Sequence, residues 1–400
     1  GNPDEQELNA RKEKAAALKE IAESRFSVLI GPAGTGKTTL LTILSGQDEI
    51  ENNGVLLLAP TGKARVRMEE VASSNNVTAK TLAQFLSKYG RYDGNIQQYK
   101  FTDIYCEAKF ETVILDESSM LTELMLATTL DCLKGVKRFI LVGDHRQLPP
   151  IGAGRPFIDI INHLKPENIN SEFPRVGKGY AELTIKRRQG GSNREDLQLA
   201  EWFSGEPLEP GADNVINHIM NNPNSEYLRV ENWKNEDDFE KLFEEVLIEE
   251  LELENIDDIA SFNKTLGSID GRYFNFGEAA KKAESWQVLS PIRDKVFGVR
   301  SLNRNIHKKF REDKVQYARS KYGKIPKPIG LEEIVYGDKI INLSNSKRYE
   351  STVFPREGSL DYIANGEIGM VIGQFKQKYH KFKGKPRNTE IEFTSQKGYK

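Results

Sequence analysis

Hydrophobic positions in the first 150 residues fall into short runs bounded by Gly, Pro or acidic residues: "FSVLI" at 26–30, "GVLLLAP" at 54–60, "ETVILDE" at 111–117 and "KRFILVGD" at 137–144. Runs this short between turn-forming residues predict strands buried on both faces. Helical spacing fills the intervals, in an Ala- and Leu-rich stretch at 11–23 and in another that starts near Thr38. The alternation is the βαβ rhythm of an α/β domain with a parallel sheet. In such sheets ligands gather beyond the carboxyl ends of the strands. Polar signatures stand at those places: "GPAGTGKT" after the first run, "PTGK" after the second, "DESS" after the third and "GDHRQLPP" after the fourth.

Composition narrows the class without deciding it. At 400 residues the chain has room for two or three domains, and 38% hydrophobic with 29% charged residues is ordinary for a globular protein. No apolar run reaches the roughly 18 residues of a membrane span, and no secretory pattern opens the chain, so a cytoplasmic protein is expected. The two cysteines, Cys106 and Cys132, are too few for a disulfide framework and lack metal-ligand spacing. With a formal net charge of −2, any nucleic-acid site must be a local groove and not a globally basic surface.

The first polar signature is a P-loop. Its stretch Gly31, Pro32, Ala33, Gly34, Thr35, Gly36, Lys37, Thr38, Thr39 has the glycine spacing that lets backbone N–H groups converge on phosphate oxygens. Lys37 adds a point charge and Thr38 a hydroxyl for Mg²⁺. In "VILDESS", Asp116 is placed to hold the Mg²⁺ shell and Glu117 to orient and deprotonate the attacking water. In "GDHRQLPP", Gln147 is an uncharged side chain able to touch both γ-phosphate and water; a Pro-stiffened loop is the competing reading. After Pro60 and Thr61 a helix begins that carries Lys63, Arg65 and Arg67, either a phosphate-gripping surface or a solvated basic face.

Together, "GPAGTGKTTLL", "APTGKAR", "AKTLAQFL", "VILDESSML", "GDHRQLPPIGAG" and "ELTIKRRQ", in this order and spacing, resemble superfamily-1 DNA helicases of the RecD and Dda type. That family moves 5′ to 3′ on single-stranded DNA with two RecA-like domains that close around ATP. The resemblance implies ATP and Mg²⁺ as cofactors, with phosphate binding by Lys37, Mg²⁺ coordination by Thr38 and Asp116, and catalysis by Glu117. It further implies γ-phosphate sensing by Gln147, a γ-phosphate contact from Arg188, and DNA contacts at Pro60, Thr61 and Thr81, to which Lys63 of the basic helix is added as a candidate. Single-stranded DNA and single/double-strand junctions are the implied partners, for a chain expected to act as a monomer.

Residues 89–110 interrupt the rhythm with aromatics and a "DGN" turn signal, which predicts a projecting β-hairpin, with an ordinary long surface loop as the competing reading; by resemblance it stands where the family carries a strand-splitting pin. Farther on, Phe239, Leu242, Phe243, Val246 and Leu247 recur at helical spacing, and a strand ending at Ser290 with a helix after Gly298 resembles the family's second RecA-like domain. Short β segments from Val335 onward predict a small β-barrel insertion. The expected division is a first RecA-like domain over 1–178, a partial second one over 179–330 and the barrel insertion over 331–400.

Two departures from the family pattern stand out. The positions where the family reads adenine with Gln hold Lys12 or Glu13, and "TVHKSQG"-like and "TALTRA"-like motifs do not occur in the sequence. An arginine at the transferring phosphate contributes on the order of 10³-fold or more in rate. The expectation is therefore a C-terminally truncated helicase that binds nucleotide but is defective in turnover. Two other readings stay open: a P-loop ATPase that serves as a DNA-bound switch or clamp, and a non-enzymatic single-strand-binding remnant.

Overall fold

The computed structural model describes residues 5–69, 76–94, 96–107, 109–185, 194–204, 213–221, 223–225, 227–320, 325–344, 346–347, 353–354, 362–363, 365–376, 386–394 and 398. The chain forms two compact units, Gly1–Val230 and Glu231–Lys400. Among the described residues no helix is long and apolar enough to cross a membrane.

The first unit is built on a seven-stranded sheet of β1 (Phe26–Ile30), β2 (Val55–Ala59), β3 (Val77–Thr81), β4 (Thr112–Leu115), β5 (Arg138–Gly143), β6 (Val176–Gly177) and β7 (Tyr180–Glu182), in the order β6-β7-β1-β5-β4-β2-β3. All neighbours pair in parallel except β6 with β7. The four runs expected from the apolar pattern are β1, β2, β4 and β5, and burial on both faces explains their lack of alternation. One apolar layer includes Val28, Leu56, Val113, Leu141 and Phe157; the opposite layer includes Leu29, Leu40, Leu57, Ile114 and Ile140. Successive strand residues thus supply alternate layers.

The long first helix, Glu5–Glu23, buries Ala10, Ala17 and Ile21 on one side. Two carboxyl groups fasten it to the chain on either side of β7: the half-buried Glu20 accepts from the Gly179 N–H at 2.6 Å, and the buried Glu13 from Thr184 and Ile185.

The structure moves the expected domain boundary. β7 lies beyond residue 178 yet pairs with β1, Val28 opposite Tyr180 and Ile30 opposite Glu182, so the first unit continues to Val230. β7 is three residues long and sits among glycines, too short to register as an apolar run.

The interruption at 89–110 does contain an antiparallel hairpin, but a minimal one, Tyr92–Asp93 against Gln98–Tyr99. The chain then returns to the domain, where Cys106–Glu107 pairs in parallel with Leu133–Lys134. Arg91 holds this return in place. Its fully buried guanidinium donates to the carbonyls of Thr102 and Ile104 and pairs with Asp131. A buried charge of this kind persists only with such partners. Ile96, Phe101 and Ile104 are left exposed.

In the second unit the helix Glu236–Glu250, N-capped by the Asn235 side chain, carries the apolar spacing read from the sequence. Its core joins Leu247, Phe262, Phe310 and Met370, with the Phe262 and Phe310 rings stacked at 3.7 Å between centroids. The helix expected after Gly298 is Val299–Arg319. The strand expected to end at Ser290 does not form: residues 286–290 lie outside any strand, with Val288 and Leu289 exposed. An apolar dipeptide makes a buried strand only where neighbours complete its ladder. The late β segments form an antiparallel sheet of Lys339–Ile341, Ile368–Lys376 and Pro386–Phe393, which is open among the described residues.

Candidate nucleotide-binding site

The loop after β1 is shaped by its glycines. Gly34 and Gly36 sit at φ +86° and +92°, where a side chain is strained. The Gly31 N–H donates to the Gly143 carbonyl at 3.3 Å, which ties the loop to the end of β5. The fully buried Thr35 hydroxyl donates to the Pro32 carbonyl at 2.9 Å, while Ala33 faces solvent. The helix Lys37–Ser45 then begins with Gly36 as a cap that offers no side-chain acceptor. Its first-turn N–H groups, with Thr38 and Thr39 exposed beside them, are left to an anion. The Lys37 ammonium donates to the carbonyls of Gly31 at 2.5 Å and Pro32 at 3.1 Å.

Acids from two neighbouring strand ends face this ammonium. Burial lowers the Lys37 pKa, while Asp144, Asp116 and Glu117, in that order, act to raise it and Arg146 pushes it farther down. The sheet order accounts for the ranking. β5, which leads into Asp144, lies directly beside β1, and β4, which leads into Asp116 and Glu117, lies one strand farther out. Asp144 is buried and accepts from the Arg146 N–H at 3.0 Å. Glu117 holds φ +51°, a left-handed conformation costing a non-glycine residue about 1–2 kcal/mol. Its N–H donates to Asp116 Oδ1 at 2.8 Å, which fixes the Asp116 carboxylate against the Glu117 backbone. Gln147 is exposed in the turn after β5, its N–H bonded to the Asp144 carbonyl at 3.2 Å.

The donor chemistry fits Mg²⁺. Thr38 offers a hydroxyl and Asp116 a carboxylate, hard oxygens of the sort that hold this ion together with water and substrate phosphates. Among the described residues there is no cluster of three or more His, Cys, Asp or Glu that would hold a metal without a substrate.

The residues expected to meet DNA gather at one sheet edge. Ala59 and Thr81 are register partners, so Pro60 and Thr61 leave β2 beside the end of β3. The Thr61 hydroxyl accepts from the Ala64 N–H at 3.2 Å, and the buried Thr81 hydroxyl accepts from the Gln84 N–H at 3.1 Å in a capping box. Both hydroxyls thus cap helices. Lys63 lies on the helix Gly62–Glu69. Arg65 corrects the reading of that helix as an exposed basic face, because it is 2% exposed and lies between Ala64 and the buried Met68 on the packed side.

Arg188 lies outside the described residues. Asp144, the carboxylate that acts most strongly on Lys37, and Arg146 were legible only as part of "GDHRQLPP". Glu13 proves to be a buried clamp. Its Oε1 accepts from the Thr184 N–H and hydroxyl, both at 2.7 Å, while Lys12 is exposed over the Phe173 ring.

A family model described as an AAA domain matches residues 9–200. The chain is 33% identical over 231 residues to the ATP-dependent RecD2 DNA helicase of Deinococcus radiodurans, covering 53% of this chain and 30% of that protein. It is 26% identical over 236 residues to the RecBCD enzyme subunit RecD of Mycolicibacterium smegmatis, covering 52% of this chain and 42% of that protein. The matched segments thus span less than half of these curated relatives. A solved structure of two coordinating Pif1 helicases at forked duplex DNA is similar at a TM-score of 0.43 and 17% identity, over 100% of this chain and 76% of that one. In its P-loop, its paired acids and these matched segments, the chain is similar to helicases of the RecD type.

Proposed function

We propose that the chain binds ATP with Mg²⁺ and single-stranded DNA, and that hydrolysis drives 5′ to 3′ movement along that strand. The observation that carries this reading is the convergence of Asp144, Asp116 and Glu117 on the ammonium of the P-loop lysine Lys37. Lys37 and the loop N–H groups hold the phosphates. Thr38 and Asp116 would hold Mg²⁺, which neutralises charge on the phosphates. Glu117 takes the proton of the attacking water, and Gln147 reports the γ-phosphate. Arg188 contributes a further cation at the transferring group. Pro60, Thr61, Lys63 and Thr81 form the DNA-facing edge, and the hairpin at 92–99 meets the single/double-strand junction. The similarity to the ATP-dependent RecD2 DNA helicase agrees with this reading.

The test combines nucleotide binding, ATP hydrolysis with and without single-stranded DNA, and strand displacement from 5′-tailed and 3′-tailed duplexes. Lys37→Ala should abolish binding of a fluorescent ATP analogue; normal binding by that variant would remove the P-loop assignment. DNA-stimulated hydrolysis without displacement would favour a switch or clamp, and DNA binding without nucleotide binding would favour a non-enzymatic scaffold.

A further inference from the structure

The P-loop has a second lysine beside it. A Cβ built on Gly36 would lie 2.8 Å from Lys14 Nζ and 3.0 Å from Lys14 Cε, so the Lys14 side chain covers the bare face of the glycine that caps the phosphate-facing helix. Lys14 comes from the first helix, a different element from the loop it covers. Its backbone position is fixed, because the neighbouring Glu13 is bonded to Thr184 and Ile185 and Glu20 to Gly179. Among the described residues its ammonium makes no hydrogen bond or ion pair.

The charge balance gives that ammonium a task. Around Lys37 stand the carboxyl groups of Asp144, Asp116 and Glu117 against the cations Lys37 and Arg146, and Lys37 is itself bonded to two loop carbonyls. Bringing a polyphosphate to this cluster adds further negative charge in a partly desolvated place, where charge interactions are stronger than in water. A cation at the start of the Lys37–Ser45 helix lies where phosphate, and not base, is expected. We infer that Lys14 is a phosphate-contacting residue of the nucleotide site, its ammonium meeting the polyphosphate over Gly36.

The inference rests on the P-loop reading, and the experiment separates the two. Binding of fluorescent ATP is measured on the whole chain, with ATP, ADP and inorganic tripolyphosphate as competitors, for wild type, Lys14→Met and Lys14→Arg. Met keeps the apolar stem and removes the charge. Lys14→Met should weaken ATP and tripolyphosphate alike by about ten-fold, as for one charge-assisted contact. The loss should shrink as salt is raised, and Lys14→Arg should restore most of the affinity. Unfolding of the nucleotide-free protein should not change. Unaltered ATP affinity in Lys14→Met overturns the inference, and so does a loss for ATP with none for tripolyphosphate, which would place the contact on ribose or base. Failure of the wild type to bind ATP overturns the P-loop reading itself.

Discussion

Glu13 accepts two hydrogen bonds from Thr184 through one carboxylate oxygen, from the N–H and from the hydroxyl, each at 2.7 Å. The pair joins the first helix to the chain just beyond β7, where the basic stretch "KRRQ" begins. Because Glu13 is fully buried, its removal strands both donors. Glu13→Ala should destabilise the first unit by about 2–3 kcal/mol, the scale for charge-assisted bonds lost from a buried site. Glu13→Gln, which keeps an acceptor, should lose less. Urea unfolding followed in the first unit checks this, and an unchanged midpoint for the Ala variant would refute the clamp.

Glu117 combines a strained backbone with the site's proposed base. Glu117→Gln should leave ATP binding intact and lower turnover by about 10²–10⁴-fold, the usual contribution of a positioned general base. Glu117→Gly should be equally inactive but no less stable than wild type, and more stable by up to about 1 kcal/mol, since glycine adopts φ +51° without penalty. Single-turnover kinetics and unfolding midpoints on the two variants separate the chemical role from the conformational one.

Lys37 titrates in opposite senses for binding and for folding. Burial holds its folded pKa below the ordinary lysine value, while the unfolded chain keeps that ordinary value. As pH rises between the two, the unfolded state binds more protons, so the nucleotide-free unit gains stability from this group. In the proposed site the charged form is the one that holds phosphate. ATP affinity should therefore fall with rising pH, beginning below the ordinary lysine range. Lys37→Arg should flatten both trends, because guanidinium stays charged throughout. Titration calorimetry across the alkaline range reads the first trend and urea midpoints read the second.

In the second unit Lys314 donates to the Tyr336 carbonyl at 3.0 Å, and burial first, then the nearby Arg311, pushes its pKa down to about 8 against the pull of Asp338. Below that value the lysine is charged whether folded or unfolded and its burial cost is constant. From about 8 up to the ordinary lysine value near 10.4, the folded state sheds its proton first and the unit gains stability. Lys314→Met should abolish that rise. Comparing urea midpoints at neutral and mildly alkaline pH in both proteins decides it.

Most of the candidate site could be proposed from the sequence because P-loop chemistry is local. The glycines, Lys37, Thr38, Asp116 and Glu117 lie in contiguous stretches whose spacing already dictates where backbone and side chain must go. Glu13 and Lys14 were not legible, because their roles depend on which helix face meets the sheet, and partners such as Thr184 lie 171 residues away. The same separation hid β7, a three-residue strand that exists only because β1 is there to pair with it. Arg65 misled for a related reason. A charge pattern alone does not reveal which face of a short helix is packed, and this arginine lies on the packed one.

The strand order has a mechanical corollary. β1, β5 and β4 are consecutive interior strands, each hydrogen-bonded on both sides, so the loop, Asp144 and the Asp116–Glu117 pair all spring from the part of the first unit that opens last. Their mutual spacing cannot change without tearing the sheet. Any motion that accompanies nucleotide binding therefore has to come from chain that is not laced into those strands.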